Sequence, residues 1–178
     1  MTEYPEDRLP VLIGEADIRR RVDEIGAEIR AFYGDETPLL VGILTGAVVF
    51  LADLARAIPG DVRFEFMAVS SYGDATTSSG AVRILKDLDS DIAGRRILLV
   101  EDIVDSGTTL NYLLRMLRDR DPEDVRVVSL LRKPEARQAG TNPDWIGFEI
   151  DEVFVVGYGL DVAGRFRNLP YIASLQAD

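Results

Sequence analysis

The 178-residue chain contains no cysteine and no histidine. Without cysteine there is no disulfide and no thiol nucleophile. Without histidine there is no Ser-His-Asp triad, and with neither there is no ordinary zinc site. Proton transfer is left to Asp, Glu, Lys or Tyr, and a bound metal to oxygen donors, with Mg²⁺ the first expectation. Lysine is scarce too. Of 20 basic residues only Lys86 and Lys133 are not arginine, which reflects either chance or places where a compact, rotatable ammonium is wanted. Acidic residues number 31, for a net charge of -11, and this argues against a nucleic-acid or anionic-membrane partner. No apolar run approaches the ~20 residues of a membrane-spanning helix. The opening MTEYPEDRLP is polar and acidic, unlike a secretory signal, so the expected setting is the cytoplasm.

What is present is enough for one domain with a full core. Apolar residues make up 47% of the chain, and at this size roughly 70% of the unfolded surface can be buried. Ile18, Val22, Ile25, Ile29 and Phe32 recur at steps of three and four, which predicts a helix over 15–33. The runs LLVGIL (39–44), ILLV (97–100), VVSLL (127–131) and VFVV (153–156) are apolar without alternation. That pattern suits strands covered on both faces, hence a mostly parallel sheet. Helical patterns at 47–58 and 109–120 lie between them, the second with a stripe of Leu110, Leu113, Leu114 and Leu117. Strands alternating with helices predict an α/β doubly wound architecture. The small, polar stretch SYGDATTSSGAV (71–82), between strands expected at about 62–70 and 82–87, is either a disordered connection or a mobile lid.

The stretch LLVEDIVDSGTTL (98–110) carries the chemistry. In parallel sheets ligands bind at the carboxyl ends of strands, where Glu101 and Asp102 are expected. The loop Asp105-Ser106-Gly107-Thr108-Thr109 leads into the 109–120 helix. Its backbone N–H groups and hydroxyls favour a phosphate, and Gly107 allows close approach. Paired carboxylates suit vicinal hydroxyls. Together the stretch describes a ribose 5-phosphate. An acidic helix cap would account for Asp105 or Ser106 alone, but not for Glu101 and Asp102 directly behind ILLV. No G-x-x-x-x-G-K-[ST] occurs, and no G-x-G-x-x-G follows a strand.

VEDIVDSGTTL resembles the phosphoribosyl-diphosphate-binding signature of type I phosphoribosyltransferases. The order Glu-Asp, then Asp three residues on, is similar to the hypoxanthine-guanine branch. VGILTGAVVFLADL, SSYGDATTSSGAVRILKDLD, LLRKPEAR and FVVGYGLDVAGRFRNLPYI resemble other segments of that branch in the same order, over most of 39–174. The resemblance implies a type I phosphoribosyltransferase fold: a mostly parallel twisted sheet flanked by helices, with a small hood lobe from the terminal segments. Residues 1–178 would form one domain, with a core of about 36–140 and a hood of about 1–14 and 141–178.

It also implies roles. Asp105 would serve as general base or acid at purine N7. Glu101, Asp102, Ser106, Gly107, Thr108 and Thr109 would bind the ribose phosphate. Leu44, Thr45, Gly46 and Arg167 would hold the diphosphate, with a cis peptide between Leu44 and Thr45. Lys133, Phe154 and Val155 would place the purine: Lys133 at the 6-oxo group, Phe154 by stacking, Val155 through its backbone. Ser71 and Tyr72 would begin a lid. Asp161, with Glu101 and Asp102, would serve Mg²⁺. Many members carry Lys or Arg where this chain has Thr45, which leaves the diphosphate to backbone donors there. Arg83, Lys86, Arg165 and Arg167 are available to meet an anionic substrate.

The implied function is purine salvage: transfer of a 5-phosphoribosyl group from 5-phosphoribosyl 1-diphosphate to hypoxanthine and guanine. The implied assembly is a homodimer or homotetramer. Two alternatives share the fold, an RNA-binding regulator and a transferase for another base such as xanthine. The charge of -11 speaks against the first.

Overall fold

The computed structural model describes residues 9–72, 81–138 and 140–175. Its frame is a six-stranded sheet of β2 (Leu39–Leu44), β3 (Arg63–Tyr72), β4 (Ala81–Lys86), β5 (Arg96–Val104), β6 (Asp124–Arg132) and β7 (Trp145–Glu149), in the order β4-β3-β2-β5-β6-β7. All neighbours run parallel except β4, which pairs antiparallel with β3 at one edge. Helices cover both faces: α1 (Glu15–Tyr33) and α2 (Val48–Ala57) on one, α3 (Thr108–Arg118) on the other. A short α4 (Pro134–Gln138) follows β6.

The unbroken apolar strands have the expected cause. Side chains of a strand alternate between faces, so a strand roofed by helices on both sides needs apolar residues at every position. Leu40, Leu98, Val100, Val128 and Leu130 pack toward α1 and α2, whereas Leu39, Val41, Ile97, Leu99 and Val127 pack toward α3. The expected stripe of α3 is confirmed by burial of Leu110, Leu113 and Leu117, with Leu114 half-buried at its border. Gly34, at φ 64°, ends α1 by returning its N–H to the Arg30 carbonyl at 2.9 Å.

Two expectations need correction. The run 153–156 reads like the other strands, but only Val155–Val156 (β8) is extended. It belongs to a second, antiparallel sheet ordered β1-β9-β8, with β1 (Val11–Ile13) and β9 (Ile172–Ser174). This small sheet buries Val156 and Ala173 with Leu9 on one side, while Ile13, Val155 and Ile172 join the core packed by α1 and α2. The main sheet also does not end near residue 140. Trp145–Glu149 joins it as an edge strand beside β6, with Trp145 packed on Phe32 and Tyr33 of α1. Its side chains are mostly half-buried, and its short run Trp145-Ile146-Gly147-Phe148 escaped the sequence reading.

The α1–α2 crossing depends on Gly26. A Cβ there would stand 2.7 Å from the Ala57 backbone, so a side chain forces the helices apart. Gly26→Ala is expected to lower the unfolding free energy by about 1–3 kcal/mol in urea titration. An unchanged midpoint would show that the crossing gives way at no cost.

Candidate active site

Parallel strands deliver the ends of β2 at Leu44, β5 at Val104 and β6 at Arg132 to one edge of the sheet. From β2 the chain proceeds to β3 on one side, and from β5 to β6 on the other. The gap between β2 and β5 is therefore the topological switch point, where a crevice opens.

β5 reaches further than ILLV suggests. Glu101 and Asp102 lie within it rather than beyond its end, and alternation sends them to different places. Glu101 is 7% exposed and lines a depression of about 180 Å³ with Asp105, Ser106, Gly107 and Thr109. Asp102 lines a second cavity of about 360 Å³, together with Thr45, Gly46, Lys133 and Phe154, and with Val155, Asp161 and Arg167. Asp105 borders both. Burial pushes the Glu101 carboxyl well above the ordinary carboxylate range, and the negative charge of Asp102 pushes it further. Burial also raises Asp102. The Ile103 N–H, donating at 2.8 Å, and the Arg167 charge oppose that rise, while Asp161 adds to it.

The expected cis peptide joins Leu44 to Thr45. The next residue has no room for a side chain: a Cβ on Gly46 would fall 1.6 Å from the Asp102 carboxylate. On its other flank, Gly159 at φ 102° presses its Cα against the Gly46 carbonyl, which a Cβ would approach to 2.1 Å. The 44–46 loop thus lies between β5 and the C-terminal segment. That segment is fastened in turn. Arg167 donates from Nη1 to the Gly159 carbonyl at 2.6 Å and pairs through Nη2 with Asp161 at 2.7 Å. Asp161 also accepts from the Gly164 N–H at 2.6 Å.

Across the cavity, the Lys133 ammonium is 3.0 Å from Asp105 Oδ2, and its backbone N–H donates to the Val104 carbonyl. The Phe154 ring stays 54% exposed beside them. Gly107, at φ 81°, starts α3, and a Cβ on it would meet the Thr141 hydroxyl at 2.4 Å. Within this turn the Ser106 hydroxyl lies 3.2 Å from that of Thr108.

Not every candidate gathers here. Lys86 donates to the Phe66 and Asp87 carbonyls at 3.2 and 3.0 Å and pairs with Asp89, so it closes a turn. Arg165 lies over the Phe166 ring, and Arg83 is exposed on β4. Ser71 and Tyr72 end β3, and the remainder of the expected lid, 73–80, lies outside the described residues. Other contributors escaped the sequence reading. Thr141, buried against Gly107, accepts from Asn111 at 3.1 Å. Tyr158 donates to Asp53 of α2 at 2.5 Å. The paired glycines of Gly157-Tyr158-Gly159 were the available signal for the latter.

Three carboxylates line the larger cavity; Asp105 is paired with Lys133, while Asp102 and Asp161 together raise the negative potential at the other side. This is a hard-oxygen environment that suits a Mg²⁺-sized cation. Asp105, Glu135 and Glu152 form a second, exposed acidic group with oxygens within 4.8 Å of one another, and the Lys133 ammonium already lies against two of them.

Residues 15–163 match the phosphoribosyl transferase domain family. The chain is 51% identical over 166 residues to hypoxanthine-guanine phosphoribosyltransferase of Bacillus subtilis (strain 168), covering 93% of this chain and 92% of that one. It is 54% identical over 178 residues to the protein of the same name in Mycobacterium avium, covering 97% and 88%. Among solved structures, a hypoxanthine phosphoribosyltransferase from Staphylococcus aureus superposes with a TM-score of 0.89 at 40% identity, over 99% of this chain and 96% of that one.

The buried Glu101 gives the site a pH signature. Its folded carboxyl holds a proton to higher pH than an ordinary glutamate at 4.5. The folded state therefore binds more protons, and this contribution to stability is full below pH 4.5 and is lost as pH rises through the folded pKa. In metal-free urea titrations, Glu101→Gln is expected to match the parent near pH 4 and to exceed it at pH 8 by at least about 1 kcal/mol. Equal stability at both pH values would refute the shift.

Proposed function

The chain belongs to the phosphoribosyltransferase family, and from that membership we propose that it is a purine salvage enzyme. It transfers the 5-phosphoribosyl group of 5-phosphoribosyl 1-diphosphate to N9 of hypoxanthine and guanine, and diphosphate leaves. The observation that carries this is one cavity at the β2–β5 switch point. It brings a diphosphate-sized backbone loop, a Lys–Asp pair and an exposed aromatic ring within reach of one ligand.

In the reaction a bond forms between N9 and C1′ of the ribose as the bond from C1′ to the diphosphate oxygen breaks. Asp105 takes the proton at N7, so that N9 attacks without building positive charge on the purine. Lys133 donates to the 6-oxo oxygen. An ammonium cannot accept from a 6-amino group, which disfavours adenine. Phe154 offers its exposed face for stacking and Val155 fixes the far side of the base. The depression beside Glu101, lined by Ser106, Gly107 and Thr109 with Thr108 between them in the chain, receives the ribose phosphate at the start of α3. Leu44, Thr45 and Gly46 meet the leaving diphosphate through their backbone, and Arg167 meets it with its guanidinium. Asp161 and Asp102 would hold Mg²⁺, which when bound would supply positive charge to the leaving group. Where the sequence reading grouped Glu101 with the metal acids, its separate pocket suits it better to the ribose side.

Small molecules are thus the partners. The charge of -11 disfavours the RNA-binding alternative. Among the described residues no helix is long and apolar enough to cross a membrane, in keeping with a proposed cytoplasmic setting. Assembly as a homodimer or homotetramer is proposed from the family resemblance.

Two measurements test this. With 5-phosphoribosyl 1-diphosphate and Mg²⁺, hypoxanthine and guanine should release diphosphate, whereas adenine should react at least about 100-fold more slowly. Equal use of adenine would remove Lys133 from its role, and xanthine as the best base would redirect the assignment. Asp105→Asn should lower kcat with hypoxanthine by about 100-fold or more. Turnover near the parent rate would leave N7 without its base.

A further inference from the structure

The Lys133 ammonium has two carboxylates in reach, Asp105 at 3.0 Å and Glu152 at 3.9 Å. The lysine side chain is only 12% exposed, whereas both acids are 56% exposed. In the reaction given above, Asp105 must turn to N7 and take up its proton, and it then no longer neutralises the lysine. A nearly buried ammonium that loses its nearest counter-charge is costly unless another replaces it. Among the described residues, Glu152 is the other carboxylate within 4 Å of Lys133. It directly precedes Val153, Phe154 and Val155, all of which line the cavity, so it sits on the segment that would hold the base.

We propose that Glu152 is a positioning residue: it retains the Lys133 ammonium at the 6-oxo edge of the purine while Asp105 is released to N7. This deepens the functional reading and rests on it. Glu152 touches no reacting atom. Its effect passes through Lys133 and so concerns only bases that carry a 6-oxygen. Glu135 supplies the control, because its carboxylate lies in the same acidic group without an ion pair to Lys133.

The test compares the parent enzyme with Glu152→Gln and Glu135→Gln. It measures kcat and KM for hypoxanthine and the inhibition constant of unsubstituted purine, which lacks the 6-oxygen. Glu152→Gln should raise the hypoxanthine KM about three- to fivefold, the size of an exposed ion pair. It should leave kcat and the purine constant unchanged, and Glu135→Gln should change none of the three. An unaltered hypoxanthine KM in Glu152→Gln would overturn the proposal. So would an equal loss for purine, or the same loss in Glu135→Gln. If the parent releases no diphosphate with hypoxanthine, the functional reading fails and this proposal fails with it; the other adverse results sink this proposal alone.

Discussion

A bare backbone at Gly46 is the constraint on which the site depends. The Asp102 carboxylate occupies the space a side chain would take on one flank, and the Gly159 Cα meets the Gly46 carbonyl on the other. The loop therefore meets the C-terminal segment backbone to backbone, and meets β5 through the Asp102 carboxylate alone. That contact brings Asp161 and Arg167 opposite the ends of β5 and β6, although they follow those strands by many residues. Farther back, the bond from Tyr158 to Asp53 ties the same segment to α2, and α2 begins just after the 44–46 loop. The 44–46 loop is thus held at both its faces and through the helix it leads into.

The second organising feature is the distribution of carboxylates. β5 ends in acids that neither water nor a basic partner fully accommodates, and burial holds both Glu101 and Asp102 toward their neutral forms. A folding chain gains nothing from such acids. Their cost is intelligible if a sugar and a metal-bound leaving group supply the hydrogen bonds and the charge that the empty protein lacks. Strand alternation then divides the labour, with Glu101 beside the phosphate turn and Asp102 beside the diphosphate loop.

Much of this was legible in the sequence, and the failures have identifiable causes. The strands β2, β5 and β6 were readable because helices on both faces demand apolar residues at every position. The same pattern misled at 153–156, since a two-residue edge strand of a small antiparallel sheet looks identical over so short a span. Trp145–Glu149 was missed because its apolar run is short and, as an edge strand, it is only half-buried. In the site, the glycine turn was legible as a local motif behind an apolar strand, whereas a role for Asp105 came from the family resemblance. The scarcity of lysine could not separate its two positions: Lys133 faces the cavity and Lys86 closes a turn. Thr141 and Asp53 act across large sequence separations through single contacts, for which no local pattern exists; only the glycines flanking Tyr158 gave a local sign.

The two cations of the larger cavity are each occupied before anything binds, Arg167 by Asp161 and Lys133 by Asp105. Neither is offered bare to chloride, sulfate or stray inorganic phosphate drifting past, because a simple anion would have to evict a tethered carboxylate and gives too little in return. A ligand that engages both members of a pair at once, as donor to the acid and acceptor from the base, replaces the ion pair that it opens. The resting pocket is thus an ion exchanger preloaded with its own counterions, one that would favour bifunctional ligands over simple anions.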